Sequence, residues 1–269
     1  MKDILVHLDG DERAAHRLEH AIEIAAKFNA RLIGLFARVE TSGPSMVAQR
    51  LSENLSKIAE QSRKLFEDSV KQQGVNGLWM QLDHGEPGHV VAEVACRSRY
   101  TDLAIIGQWH PQSHVPAEFP EQVILQSGRP ILVIPHIGAV AGFGRHITIA
   151  WNGSRESSRA VHDAMGLMRR AQEVTVLAVR DANFERVQPG DLPKLDLVDH
   201  LATHGITAKT EHLTAEDIGL MDLLLSRSFD LGADLLVMGA HSGLGLPFLR
   251  GGGTRFILRH LTLPVLMSN

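Results

Sequence analysis

Ile4-Leu5-Val6-His7-Leu8-Asp9-Gly10 is a short, mostly apolar run closed by an acid and a glycine, and it returns as Ile147-Thr148-Ile149-Ala150-Trp151-Asn152-Gly153. A run of this length without strict alternation reads as a strand covered on both faces, as in a parallel sheet. Each copy leads into a stretch with helical periodicity, marked in the first by Leu18, Ala21, Ile22, Ile24, Ala25 and Phe28. A second apolar run follows, Leu32 to Ala37 in one copy and Val174 to Val179 in the other. The later parts repeat as well. Asp102-Leu103-Ala104-Ile105-Ile106-Gly107 answers Asp234-Leu235-Leu236-Val237-Met238-Gly239, and Arg129-Pro130-Ile131-Leu132-Val133 answers Leu263-Pro264-Val265-Leu266-Met267. Strands alternating with helices predict a right-handed, doubly wound α/β sheet. The chain therefore reads as two tandem copies of one five-stranded parallel domain.

The intervening pattern predicts a helix from about Ser45 to Gln73, a strand at Leu78 to Leu82, a turn at Gly85-Glu86-Pro87-Gly88 and a helix from His89 to Arg99. In the second copy it predicts helices at Ser157 to Arg170, up to about His204, at Ile218 to Phe229 and at Arg255 to His260, with a strand near Ala208 to Leu213. The Gly/Ala-rich segment from His136 to Gly144 separates the copies. Boundaries of 1–137 for the first domain, 138–144 for the linker and 145–269 for the second follow. A length of 269 residues suits two domains of ordinary size.

A formal charge of -4 provides no basic field for nucleic acid. The single cysteine, Cys96, allows no intrachain disulfide, which fits a reducing compartment. The N-terminus shows no leader pattern and no apolar run approaches the roughly 20 residues that span a bilayer. The expectation is a cytoplasmic protein without membrane or nucleic-acid partners.

The richest local pattern is Met238-Gly239-Ala240-His241-Ser242-Gly243, continued by Gly251-Gly252-Gly253-Thr254. Glycines let main-chain amides approach an anion, and a following helix N-terminus adds partial positive charge, so the stretch reads as a phosphate cradle. A glycine-rich turn with no ligand accounts for the same residues. The first copy has Gly107-Gln108-Trp109-His110-Pro111 at the corresponding place, with prolines that donate no amide, and no triphosphate is expected there. Among the 15 histidines, His110 with His114 and His200 with His204 have the spacing of one helical face. The second pair, followed by Gly205, reads as a capped helix end, and no metal site is assigned. Asp102 and Asp234 read as turn or helix-end acceptors. No paired acid and base, and no nucleophile elbow around Ser242, point to catalysis.

The strand-end Asp9-Gly10, the turn Gly85-Glu86-Pro87, the paired Asp102 and Asp234 strands and the Pro-initiated last strands together resemble the universal stress protein family, in its tandem bacterial form, over essentially the whole chain. The resemblance implies that family's adenine nucleotide alpha hydrolase-like fold. It also implies, in nucleotide-binding members, a Gly-x2-Gly-x9-Gly-(Ser/Thr) loop around adenosine phosphates. Gly243-x9-Gly253-Thr254 matches its second half, while Gly239 stands one residue too far from Gly243. By position, Met238 and Gly239 would line the nucleotide, Gly243, Gly252 and Gly253 would face phosphates, and Thr254 would donate to one. Asn152 replaces the usual Asp at the end of the first strand, and Val179 stands where a main-chain contact to adenine is implied. Because Asn supplies no charge, magnesium would be held more weakly.

What the resemblance implies is a stress-response protein, non-enzymatic or at most slowly ATP-hydrolysing, whose second domain takes ATP or ADP, with magnesium as a companion ion. It also implies an intrachain pseudo-dimer through the last strands, Ile131 to Pro135 and Val265 to Met267, and a homodimer of whole chains. Two alternatives stand beside it: a nucleotide-free interaction scaffold of the same fold, and a phosphate-ester or metal-assisted hydrolase using the histidines.

Overall fold

The structure is a computed structural model, and it describes residues 1–39, 53–82, 85–137, 142–179, 195–213, 219–241 and 252–269. The chain divides into two compact units, Met1–His136 (domain 1) and Ile137–Asn269 (domain 2). Domain 1 runs β1 (Asp3–Leu8), α1 (Ala14–Phe28), β2 (Arg31–Phe36), α2 (Glu53–Gln72), β3 (Gly77–Gln81), α3 (Pro87–Ser98), β4 (Leu103–Gly107), α4 (Phe119–Ser127) and β5 (Ile131–Ile134). All pairings are parallel, in the order β3-β2-β1-β4-β5. Domain 2 repeats this with β6 (His146–Trp151), α5 (Arg155–Met168), β7 (Glu173–Val179), α6 (Leu197–Thr203), β8 (Lys209–Leu213), α7 (Leu220–Asp230), β9 (Leu235–Gly239), α8 (Gly252–His260) and β10 (Val265–Ser268). Its parallel order is β8-β7-β6-β9-β10.

The apolar runs do what their composition requires. Ile4, Leu5, Val6 and Leu103 to Ile106 in domain 1, and Ile147, Ile149 and Leu235 to Val237 in domain 2, are buried to within a per cent of completely. Central strands shielded on both faces cannot alternate polar and apolar side chains. The edge strand β3 is exposed along most of its length, which is why its pattern is mixed. Asp102 accepts from the amides of Lys2 and Asp3, and Asp234 from those of Arg145 and His146, so each acid ties the start of its domain's first strand to the strand beside it.

Three element boundaries differ from the sequence reading. Helix α4 was not anticipated, although Phe119, Val123 and Ile124 lie at helical spacing, Pro120 stands in the first turn and Gly128 closes the helix at φ 65°. Helix α3 starts at Pro87 itself, because a proline costs nothing where no intrahelical amide bond is made. Helix α8 starts at Gly252 rather than Arg255, taking Gly252, Gly253 and Thr254 into its first turn. The 45–52 part of the expected second helix, and the linker residues 138–141, lie outside the described residues.

Candidate functional site

In each domain the connections leave the sheet in opposite directions between two neighbouring strands, β1 and β4 in domain 1 and β6 and β9 in domain 2. Such switch points open a crevice at the carboxyl ends of the strands, where α/β sheets take ligands. The two domains treat that crevice differently.

In domain 1 it is filled by Arg17, projecting from α1. Its Nε donates to the His7 carbonyl at 2.7 Å and its Nη2 to Asp9 Oδ1 at 2.7 Å, with Arg17 and Asp9 only 3% and 2% exposed. The guanidinium lies so close to Gly107 at the end of β4 that a side chain there would collide with Nη1. Burial pushes the Asp9 carboxyl up, but the Arg17 charge and hydrogen bond, with help from His7, outweigh it and hold Asp9 below the usual carboxylate range. Burial, with Arg17 beside it, pushes the His7 imidazole down against the opposing pull of Asp9. The carboxylate at the end of the first strand is thus committed to an internal cation.

In domain 2 the residue at the place of Arg17, eight on from the strand-end polar residue, is Ala160, which is fully buried. Without a long side chain between them, α5 and β9 close to main-chain contact. A Cβ on Gly239 would sit 2.5 Å from Glu156 C and Ser157 N. Asn152 Oδ1 accepts from the Ser154 amide at 3.1 Å, Gly153 takes φ 68°, and Ser154 caps α5 by accepting from the Ser157 amide at 3.1 Å. This is the turn-closing role of an Asn-Gly pair. At the other wall, His241 adopts φ 57° and its amide donates to Thr254 Oγ1 at 2.9 Å, tying the end of β9 to the first turn of α8. Thr254 is 4% exposed.

Of the residues singled out in the sequence, Asn152 follows β6 and Gly239 ends the neighbouring β9, while Thr254 sits in the first turn of α8, bonded to the end of β9 through the His241 amide. Gly252 opens α8 with no atom of a described residue within 4 Å of where its Cβ would lie, whereas Gly253 faces Met221 Sδ of α7 at 3.2 Å. Met238 is buried within the sheet between Ala150 and Met267, so only its main chain borders the crevice. Val179 ends β7 opposite Leu213. Gly243 and Ser242 lie outside the described residues. The residue missed in the sequence is Arg17. Lining up Asp9 with Asn152 exposes it, because a charged residue in one copy replaces alanine in the other on a helix face that must meet the sheet.

The histidine pairs separate. His110 lies in the segment between β4 and α4, while His200 and His204 meet edge to face at the end of α6 with ring centroids 4.8 Å apart, beside His162 at 5.3 Å from His200. His204 accepts the place of the C-cap ahead of Gly205 at φ 73°. Among the described residues no group of three or more His, Cys, Asp or Glu is arranged to hold a metal, and no helix is long and apolar enough to cross a membrane.

Comparison with known proteins places the fold. A universal stress protein from Archaeoglobus fulgidus matches at a TM-score of 0.71 and 14% identity, covering 99% of this chain and 98% of its own. A functionally unknown protein from Pseudomonas aeruginosa matches at 0.63 and 15% identity, covering 100% and 92%. No curated protein matches the chain. The sequence pattern of the Universal stress protein family matches residues 1–135, which hold the strand-end Asp9, the buried strands and the Arg17-filled crevice described above. With half its length matched and the same architecture repeated in the remainder, the chain belongs to the universal stress protein family.

Proposed function

We propose that domain 2 holds an adenine nucleotide, ATP or ADP, and that the protein acts through this binding rather than through catalysis, with ATP hydrolysis at most slow. The observation that carries the reading is Gly252. It begins α8 at the rim of the β6/β9 crevice, no described residue lies within 4 Å of where its Cβ would be, and the first turn of α8 has no acidic residue. A helix start of this kind favours an anion through its amides and its dipole. Gly243, Gly252 and Gly253 contribute amides to the phosphates. The Thr254 hydroxyl, accepting from His241, still has its own hydrogen to donate. Met238, Gly239 and Val179 contribute main chain only, and Asn152 presents its amide nitrogen while its oxygen closes the turn. Magnesium rides on the phosphates with little help from the protein, since Asn152 brings no charge. Binding then shifts a partner or conformational equilibrium to the extent that the two states differ in nucleotide affinity.

The nucleotide-free scaffold is the second reading, favoured by Asn152 and Thr254 already having internal partners. Calorimetric titration with ATP, together with mass spectrometry of small molecules released on denaturation, separates the two. Gly252→Asp is the decisive variant. It meets no described residue, and an acid in a helix first turn stabilises the helix, so the fold survives while the phosphates are repelled. Nucleotide affinity falls at least roughly tenfold, the equivalent of about 1.4 kcal/mol. Equal affinity in the variant, or no ATP binding by the folded wild type, rejects the nucleotide reading in favour of the scaffold.

A further inference from the structure

Arg17 is not the only side chain that seals the strand ends of domain 1. His7, two residues before Asp9, is 1% exposed. Its ring lies against Phe119, the fully buried first residue of α4, with ring centroids 4.8 Å apart, and its Nε2 donates to the Ala37 carbonyl at 2.7 Å. Domain 2 has neither ring. Counted from Asp9 and Asn152, the place of His7 falls to Ala150; counted from Pro130 and Pro264, which precede the last strands, the place of Phe119 falls to Gly253. Two rings that touch each other in one copy are both absent from the other.

The consequence shows in burial. In β1 every residue from Ile4 to Leu8 is buried, whereas β6 is partly exposed at its last two residues, Ala150 and Trp151. Ala150 and Met221, from the start of α7, pack against the same buried cluster of Leu177, Leu213 and Leu224. The Met221 Sδ and Cε also lie 3.2 Å from where a Gly253 side chain would begin, and Met221 is itself partly exposed. Ala150, Met221 and Gly253 thus frame an apolar surface at the end of a central strand, next to the amides that open α8. An imidazole and a phenyl ring together have the size of a fused five- and six-membered ring system. Methionine, unbranched and with three rotatable bonds, adapts its shape to what is placed beside it.

We infer that Ala150, Met221 and Gly253 form the niche for a purine ring, with the Met221 thioether as its movable wall. The inference rests on the nucleotide reading of domain 2 and adds to it the residues that select the ring. Phosphates held at the start of α8 keep the ring within reach of the same helix, and so on this face of the sheet. Ala150 leaves room where an imidazole stands in domain 1. Gly253 leaves room where a phenyl ring stands, and the polarizable sulfur of Met221 packs on the ring. A pyrimidine, with a single ring, fills the niche less completely. No bond is made or broken.

The test compares ATP, UTP and inorganic tripolyphosphate on the full-length protein, by calorimetric titration and by NMR of isotope-labelled methionine methyl groups. ATP binds at least roughly tenfold more tightly than tripolyphosphate, because the ring leaves water, and UTP falls between them. The Met221 methyl signal, identified by its disappearance in Met221→Leu, moves with ATP at the midpoint of binding and is unmoved by tripolyphosphate. Ala150→His restores the imidazole of domain 1, and ATP affinity drops to within about twofold of that for tripolyphosphate, whose own binding changes by less than about twofold. Retained tripolyphosphate binding shows that the variant is folded at this rim. The methyl measurement is made on the wild type and holds whether or not Ala150→His folds. A wild type that binds neither ATP nor tripolyphosphate rejects the nucleotide reading and the niche together. ATP bound no more tightly than tripolyphosphate or than UTP, ATP binding indifferent to Ala150→His, or a Met221 methyl unmoved by ATP overturns the niche alone.

Discussion

Replacing Arg17 by methionine isolates the feature that separates the two halves of this chain. The side chain keeps most of its length, so the space beside Gly107 stays occupied, but Asp9 loses the guanidinium at 2.7 Å while remaining 2% exposed. Removing one partner of a buried pair costs about 3–5 kcal/mol, because the charge left behind is desolvated and unmatched. For a unit of this size, intermediate between the ranges in which 1 kcal/mol moves the melting temperature by roughly 2–4 °C and 4–8 °C, the fall is on the order of 10–20 °C. The pH dependence supplies a sign that simple loss of packing would not. In the wild type, Asp9 titrates below its unfolded value of about 3.8, so its contribution is present above that pH and is lost as pH falls through the folded value. In the variant, burial, the largest influence, is left with only the weaker pull of His7 and the Asp11 amide against it, and raises Asp9 above its unfolded value. The protein then regains part of its deficit as acid protonates the carboxyl. The double variant Asp9→Asn, Arg17→Met removes both charges and recovers most of the loss. Urea unfolding followed by fluorescence reports on domain 1 through Trp79 and Trp109 once Trp151 is replaced by phenylalanine. A cost below about 1 kcal/mol, of the size expected for a surface ion pair, or a double variant no more stable than Arg17→Met, would refute the account of Arg17 as a buried counter-ion.

Other outcomes follow from the same contacts. Gly239→Ala drives a methyl to 2.5 Å from the α5 main chain and destabilises domain 2 by about 1–3 kcal/mol, whereas Gly252→Ala, with no described residue within 4 Å, is neutral or stabilising; chemical denaturation compares them. His7, His20, His114 and His136 in domain 1 are all held below 6.5, chiefly by burial. Their neutral forms favour the fold, so this stability is complete above about pH 6.5 and declines as pH falls through 6.5 toward the folded values. Unfolding of domain 1 in mild acid therefore takes up protons, measurable as a fall in urea midpoint that His7→Gln flattens; a pH-independent midpoint contradicts it. Asn152→Asp supplies the missing charge at the rim of domain 2 and makes ATP affinity depend on magnesium by roughly tenfold or more, read by titration with and without chelator.

The repeated architecture was legible because strands buried on both faces, such as Ile4-Leu5-Val6 and Leu235-Leu236-Val237, have a composition that little else produces. Helix α4 was hidden because it is short and because Pro116 before it and Pro120 within it read as a loop, although proline is at home in a first turn. The start of α8 was displaced by three residues because glycine counts against a helix in the interior but costs little before the first intrahelical amide bond forms. Arg17 illustrates a harder limit. On a helix that follows Arg13 and also carries His16, nothing local marks which cation turns inward. Only the partner Asp9, eight residues away and on another element, decides it. Asn152 and Thr254 were visible as polar residues at strand and helix ends, but their internal hydrogen bonds depend on φ values at Gly153 and His241 that no residue pattern states.

The guanidinium lodged between β1 and β4 also sets an arithmetic. The half that carries its counter-ion covalently has that crevice taken by its own side chain, whereas the half with Ala160 does not. On the nucleotide reading proposed above, each chain takes one nucleotide, and its saturation curve is a simple hyperbola with a Hill coefficient of one: duplication then sets a fixed reference beside a single sensor, not two coupled ones.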